Sequence, residues 1–146
     1  MWGLVWSLAA ASEQSVLQKQ LSVREDPPSC EELARQNDNI EESLQKLIDP
    51  EIFPAYVPMR AANCLLILQP SEVELFRQWM IDPHSKGLAY LVVDKMPDLP
   101  VDSAVKLARA GLEGVHAESL RIRLERTDVP EIRQVLQDIQ SQETEK

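Results

Sequence analysis

The sequence predicts an all-α fold of about six or seven helices, paired antiparallel and stacked in series. Three observations carry this. Ten prolines stand against four glycines among 146 residues, a balance that favours helices punctuated by proline over the tight hairpins of an all-β chain. Apolar residues recur at three- and four-residue steps over most of the length, as one face of a helix requires. Pro70, Pro100 and Pro130 fall 30 residues apart, each with an apolar residue five positions on: Leu75, Val105 and Val135. Pro28 with Leu33 fits the same frame, and Ile48-Asp49-Pro50 recurs as Ile81-Asp82-Pro83. Such a period marks helix pairs that bury their apolar faces only by stacking on one another.

The elements follow in order. Trp2 to Ala11 is an apolar leader ending in three alanines, similar to the core and cleavage site of a secretory signal but without a preceding Lys or Arg. Its removal would make the protein periplasmic or secreted; its retention would leave it cytoplasmic. At ten residues it is too short to span a bilayer. Residues 12–28 read as a polar linker containing at most a partial helix, and the helical repeat domain is expected over 29–140. Ser29-Cys30-Glu31-Glu32 has the form of a capping box, opening a helix whose stripe runs Cys30, Leu33, Ala34, Ile40, Leu44, Leu47 and Ile48. Glu31 with Arg35 and Glu42 with Lys46 stand four apart on the opposite face, acid first, each pair worth roughly 0.3 kcal/mol.

Val57 to Leu68 is apolar nearly all round and reads as a buried helix with Pro58 in its first turn. Ser71-Glu72-Val73-Glu74 is a second capping box before the face of Val73, Phe76, Trp79 and Met80. Residues 85–96 read as helix, although Val92, Val93 and Tyr90 leave a buried strand open. Val101 to Leu112 has helical spacing, with Gly114 placed for a left-handed cap. Leu120-Arg121-Ile122-Arg123-Leu124 alternates like a strand within helical surroundings and is read as helix. Asp128-Val129-Pro130 opens the last helix on Ile132, Val135, Leu136 and Ile139, and residues 141–146 form a disordered tail.

Composition excludes several functions. The net charge is −9, with ten acids against four bases in residues 1–51, a field that repels nucleic acid and anionic lipid. GxxxxGK[ST], GxGxxG, GxSxG and HExxH are all missing from the sequence, so the corresponding phosphate, dinucleotide, hydrolase and zinc chemistries lack their signatures. His84 and His116 have no ligand spacing to each other or to a cysteine, leaving no metal site. Cys30 and Cys64 stand at core-facing positions: in an oxidising compartment they would join two neighbouring helices, and in a reducing one they would be buried thiols. A catalytic Cys64 is disfavoured because an apolar helix raises a thiol pKa.

Val57, Ala61, Ala62, Cys64 and Leu65 match the spacing of the second helix of a HEAT repeat, with Pro58 where the family often has Arg; Val105 to Leu112 is a looser copy. Over residues 29–140 the chain thus resembles a HEAT-like α-solenoid. The resemblance implies a right-handed stack with a concave binding surface and no catalysis of its own. The expected function is a non-catalytic scaffold that binds another protein, without cofactor, metal or nucleic acid. Trp79, Arg121, Arg123, Glu31 and Glu42 are its candidate contact residues. The alternative is a small acidic inhibitor or immunity-type protein masking a basic site on its partner.

Overall fold

A computed structural model describes residues 16–144. Among the described residues there are nine α-helices, one turn of 3-10 helix and no strand. The chain divides into two compact units, one ending at Gln69 and the other starting at Pro70, where a single helical domain was expected over 29–140. The signal-like leader lies outside the described residues.

The first unit holds α1 (16–22), α2 (Cys30–Gln36), α3 (Ile40–Leu47) and α4 (Tyr56–Leu68). Part of the expected polar linker is therefore a helix of the fold: Leu17 and Leu21, four apart on α1, are buried. Its C-terminal carbonyls, which have no partner within the helix, are met from α4. The Tyr56 hydroxyl donates to Ser22 O at 2.6 Å and the Arg60 guanidinium to Leu21 O at 2.8 Å and to Val23 O. Arg60 also lies over the Tyr56 ring, 4.4 Å from its centroid. The one cation of α4 thus serves as a cap for its neighbour.

The single helix expected from Ser29 to Ile48 is two. The Glu32 amide donates to Ser29 Oγ at 3.1 Å, opening α2 at the capping serine. Asn37 then closes it, donating to Leu33 O from its backbone (3.0 Å) and from its side-chain amide (2.9 Å). Asn39 adopts the left-handed conformation at φ 53°, which asparagine tolerates better than most residues. The Asn37 side chain supplies a local hydrogen bond of the kind that competes with the helix ladder. The apolar stripe survives the break, with Leu33, Ile40, Leu44 and Leu47 all buried. Both α2 and α3 pack against α4, whose Val57, Ala61, Ala62, Cys64, Leu65 and Leu66 are buried. A disulfide joins Cys30 to Cys64, Cα to Cα 5.3 Å, tying α2 to α4.

The second unit holds α5 (Val73–Ile81), α6 (Lys86–Lys95), a 3-10 turn (Met96–Asp98), α7 (Val101–Glu113), α8 (Ala117–Glu125) and α9 (Pro130–Thr144). Within it α5 packs against α6 and α7, α7 against α8 and α9, α6 against α8, and α8 against α9. Residues 86–95 are helical, so Val92 and Val93 are adjacent core positions of a helix and not a strand. The alternation in 120–124 is likewise helical: Leu120 and Leu124 share the buried face while Ile122 is exposed. Ser71 does not cap α5. The helix starts after Glu72, and Ser71 is used through its carbonyl, which accepts from Val73 N at 2.8 Å. Glu74 turns instead to Arg77 and Gln78. The last helix continues through Thr144, past the expected start of a disordered tail.

Two glycines of α7 and its end act differently. Gly114 is extended, at φ −99° and ψ −172°, so the left-handed cap expected there is not formed. Gly111 is required by proximity. A Cβ on it would sit 2.7 Å from Met80 Cε on α5 and 2.8 Å from Leu120 Cδ1 on α8, and both side chains are fully buried. A Cβ on Gly114 would lie 3.8 Å from Ile81 Cα, so the C-terminal ends of α5 and α7 lie together. The turns leaving these helices are tied as well. His116, buried at the start of α8, has Nε2 2.7 Å from Asp82 O; a carbonyl only accepts, so this nitrogen donates. The Asp82 carboxylate accepts from the His84 amide and from Ser85 Oγ, and these bonds hold its carboxyl below its ordinary pKa.

Two consequences are measurable. Gly111→Val forces branched carbons into two buried methyls and should cost about 2–3 kcal/mol, seen as a lowered Tm, whereas Gly114→Ala should cost less, because its backbone suits any residue and its Cβ would meet nothing nearer than Ala110 O at 3.3 Å. Reduction of the Cys30–Cys64 bridge, which closes a sequence separation of 34 residues, should cost the first unit about 2–4 kcal/mol in denaturant unfolding. A reduced protein as stable as the oxidised one would show that the remaining contacts already fix α2 on α4.

Candidate protein-binding grooves

The five residues expected to contact a partner are divided between the units. On the first, Glu31 (α2) and Glu42 (α3) are exposed. Glu42 meets Lys46 at 3.7 Å, the predicted pair; no such ion pair forms between Glu31 and Arg35. On the second, Trp79 is core and not a contact surface. It is 7% exposed, its ring 5.2 Å from that of Phe76, because it shares the inward face of α5 with Phe76 and Met80. Arg121 and Arg123 are half exposed but already paired within their own unit. Arg121 reaches Glu143 on α9 at 2.9 Å, and Arg123 donates to both carboxylate oxygens of Asp94 on α6 at 3.2 Å.

Arg123 also stacks 3.9 Å from the centroid of the Tyr90 ring, with the Lys86 ammonium 5.6 Å from the same ring. The Ser119 hydroxyl first, then these two cations, hold the Tyr90 phenol below its ordinary pKa. Stacking and a two-oxygen carboxylate contact make Arg123 a fastener between α6 and α8.

Two open grooves, each of about 550 Å³, mark the second unit. The first is lined by Val93, Asp94, Pro97, Arg123, Arg126, Thr127 and Asp128. Its charges balance, Asp94 and Asp128 against Arg123 and Arg126; Asp94 is held by Arg123, and Asp128 also lies 3.6 Å from Arg133 outside the groove. The second runs between α5 and α7, lined by Arg77, Ile81, Lys106, Arg109, Ala110, Glu113 and Gly114. Three cations face one carboxylate there, on a chain whose net charge is −9. Arg77 pairs with Glu74 at 3.1 Å and Arg109 with Asp138 at a loose 3.8 Å; all four side chains are well exposed, so the pairs are worth about 0–1 kcal/mol each.

These cations escaped the sequence reading because they do not form a run. Their signal is a spacing: Arg77 and Lys106, and Ile81 and Ala110, are each 29 residues apart, close to the proline period. One helical stripe on α7 (Lys106, Arg109, Ala110, Glu113) then faces one on α5 (Arg77, Ile81). Among the described residues no three His, Cys, Asp or Glu side chains gather as a metal site, and no helix is long and apolar enough to cross a membrane.

Removing one fastener gives a test of this assignment. Arg123→Ala should lower stability by about 1 kcal/mol through lost stacking and carboxylate bonding, and should raise the Tyr90 pKa toward its ordinary value, read by ultraviolet pH titration. Comparison of the chain with protein-family models, with curated proteins and with solved structures finds no match.

Proposed function

We propose that the chain is a non-catalytic scaffold for protein–protein interaction built of HEAT-like helical repeats, with α5 to α9 as a short right-handed stack. One observation carries the reading: α7 packs against both α5 and α9 while α6 packs against α8, the neighbour pattern of two rows of alternating helices. The prolines of the 30-residue frame precede or open the helices of one row, α5, α7 and α9. Grooves between neighbouring helices of a row are where such arrays hold other chains, and the α5–α7 groove is of this kind. The Cys30–Cys64 bridge favours an oxidising compartment, hence a periplasmic or secreted protein. The acidic-inhibitor reading keeps one support, the exposed Glu31, Glu32, Glu41 and Glu42 of the first unit.

Photo-crosslinking separates the two. A benzophenone side chain is placed in turn at Lys106, Arg133, Ile122, Glu31 and Glu42 of the full chain in its native cells. The scaffold reading expects a discrete adduct with another protein from the α7 and α9 positions, Lys106 and Arg133. Adducts from Glu31 and Glu42 alone would favour the inhibitor, and no adduct at any position would contradict both.

A further inference from the structure

We propose that the α5–α7 groove captures a short acidic segment of a partner protein, its carboxylates on Arg77, Lys106 and Arg109 and an aliphatic side chain over Ile81 and Ala110. The proposal deepens the scaffold reading and rests on it for the existence of a protein partner; its chemistry comes from the groove. Lys106 is exposed and has no ion pair among the described residues. Arg77 and Arg109 hold their own acids only through exposed contacts, which a ligand carboxylate replaces at little cost. An arginine fork offers such a carboxylate two parallel hydrogen bonds.

Between the cations lie half-buried Ile81 and Ala110, an apolar floor that free phosphate or a nucleic-acid backbone leaves unused. The charge of the whole chain, −9, also opposes a long polyanion. A peptide of a few residues carries its charge only where the groove is positive. The other groove lacks this imbalance, since two aspartates, Asp94 and Asp128, stand there against two arginines, Arg123 and Arg126.

The test is a titration of the ¹⁵N-labelled full chain, followed by NMR. The probe is a pool of acetylated, amidated octapeptides with four Asp or Glu and four aliphatic residues in random order. Saturable shifts are expected at Arg77, Ile81, Lys106, Arg109 and Ala110, fading as salt shortens the screening length below about 8 Å. The matching Asn/Gln pool should bind at least roughly tenfold more weakly. Lys106→Glu with Arg109→Glu should abolish the shifts, and the milder Arg77→Gln with Lys106→Gln should weaken them roughly tenfold with an unchanged Tm.

Absence of saturable shifts at millimolar peptide would overturn the proposal. So would shifts indifferent to these substitutions, or equal shifts from inorganic phosphate or an oligothymidine. A groove that crosslinks to a partner at Lys106 yet ignores acidic peptides would defeat this inference and leave the scaffold reading standing; loss of the crosslink would defeat the scaffold reading itself.

Discussion

How closely α7 lets its neighbours approach sets the geometry of the second unit. Its inward face is Ala104, Leu107, Ala108, Gly111 and Leu112, three of the five being Ala or Gly, and all are buried. Small residues there let α5, α8 and α9 pack against one helix without enlarging the core. Gly111 is the tightest point: Met80 from α5 and Leu120 from α8 fill the space a side chain would take. Since stability rests on packing to near-crystalline density, a methyl at this point is felt on both sides at once.

The same approach sets the outer surface. Bringing the C-terminal ends of α5 and α7 together puts Ile81 beside Gly114 and turns Arg77 toward Lys106 and Arg109. A basic groove on an acidic chain is thus a by-product of a core contact, and the residues that build it are separable from those that line it. The first unit solves a different problem. It packs short helices on a single apolar one, and it secures them with a disulfide, the Arg60 and Tyr56 caps and the Asn37 turn. A small core supplies limited burial, and such clamps supplement it.

The elements with strong periodicity were legible. The helical class, the buried α4 with Pro58 in its first turn, the Ser29 cap and the proline start of α9 follow from local rules that nothing tertiary overrides. The cysteines were legible as a pair of core positions, but their chemistry depended on the compartment, which composition does not encode. What escaped was set by competition or distance. Asn37 and Asn39 break a helix whose apolar stripe reads straight through them, because the Asn37 side chain bonds back to the helix it ends and Asn39 takes a left-handed backbone. Leu17 and Leu21, with Val16 and Val23, are scattered through a polar segment, too few to announce a core helix. Trp79 was offered as a contact residue by its size and buried by its phase. Arg121 and Arg123, the two expected basic contacts, are occupied by Glu143 and Asp94, whereas the cations facing the α5–α7 groove come from two helices and are joined only by folding.

The contact between Met80 and Gly111 tests this account at its root. With the methionine methyls ¹³C-labelled, the Met80 Cε methyl should show strong nuclear Overhauser contacts to the Gly111 α-protons, and Gly114 should show contacts to the Ile81 backbone. A Met80 methyl with no contact to Gly111 would mean that α5 does not lie on α7, and the groove and the stacking would fall together.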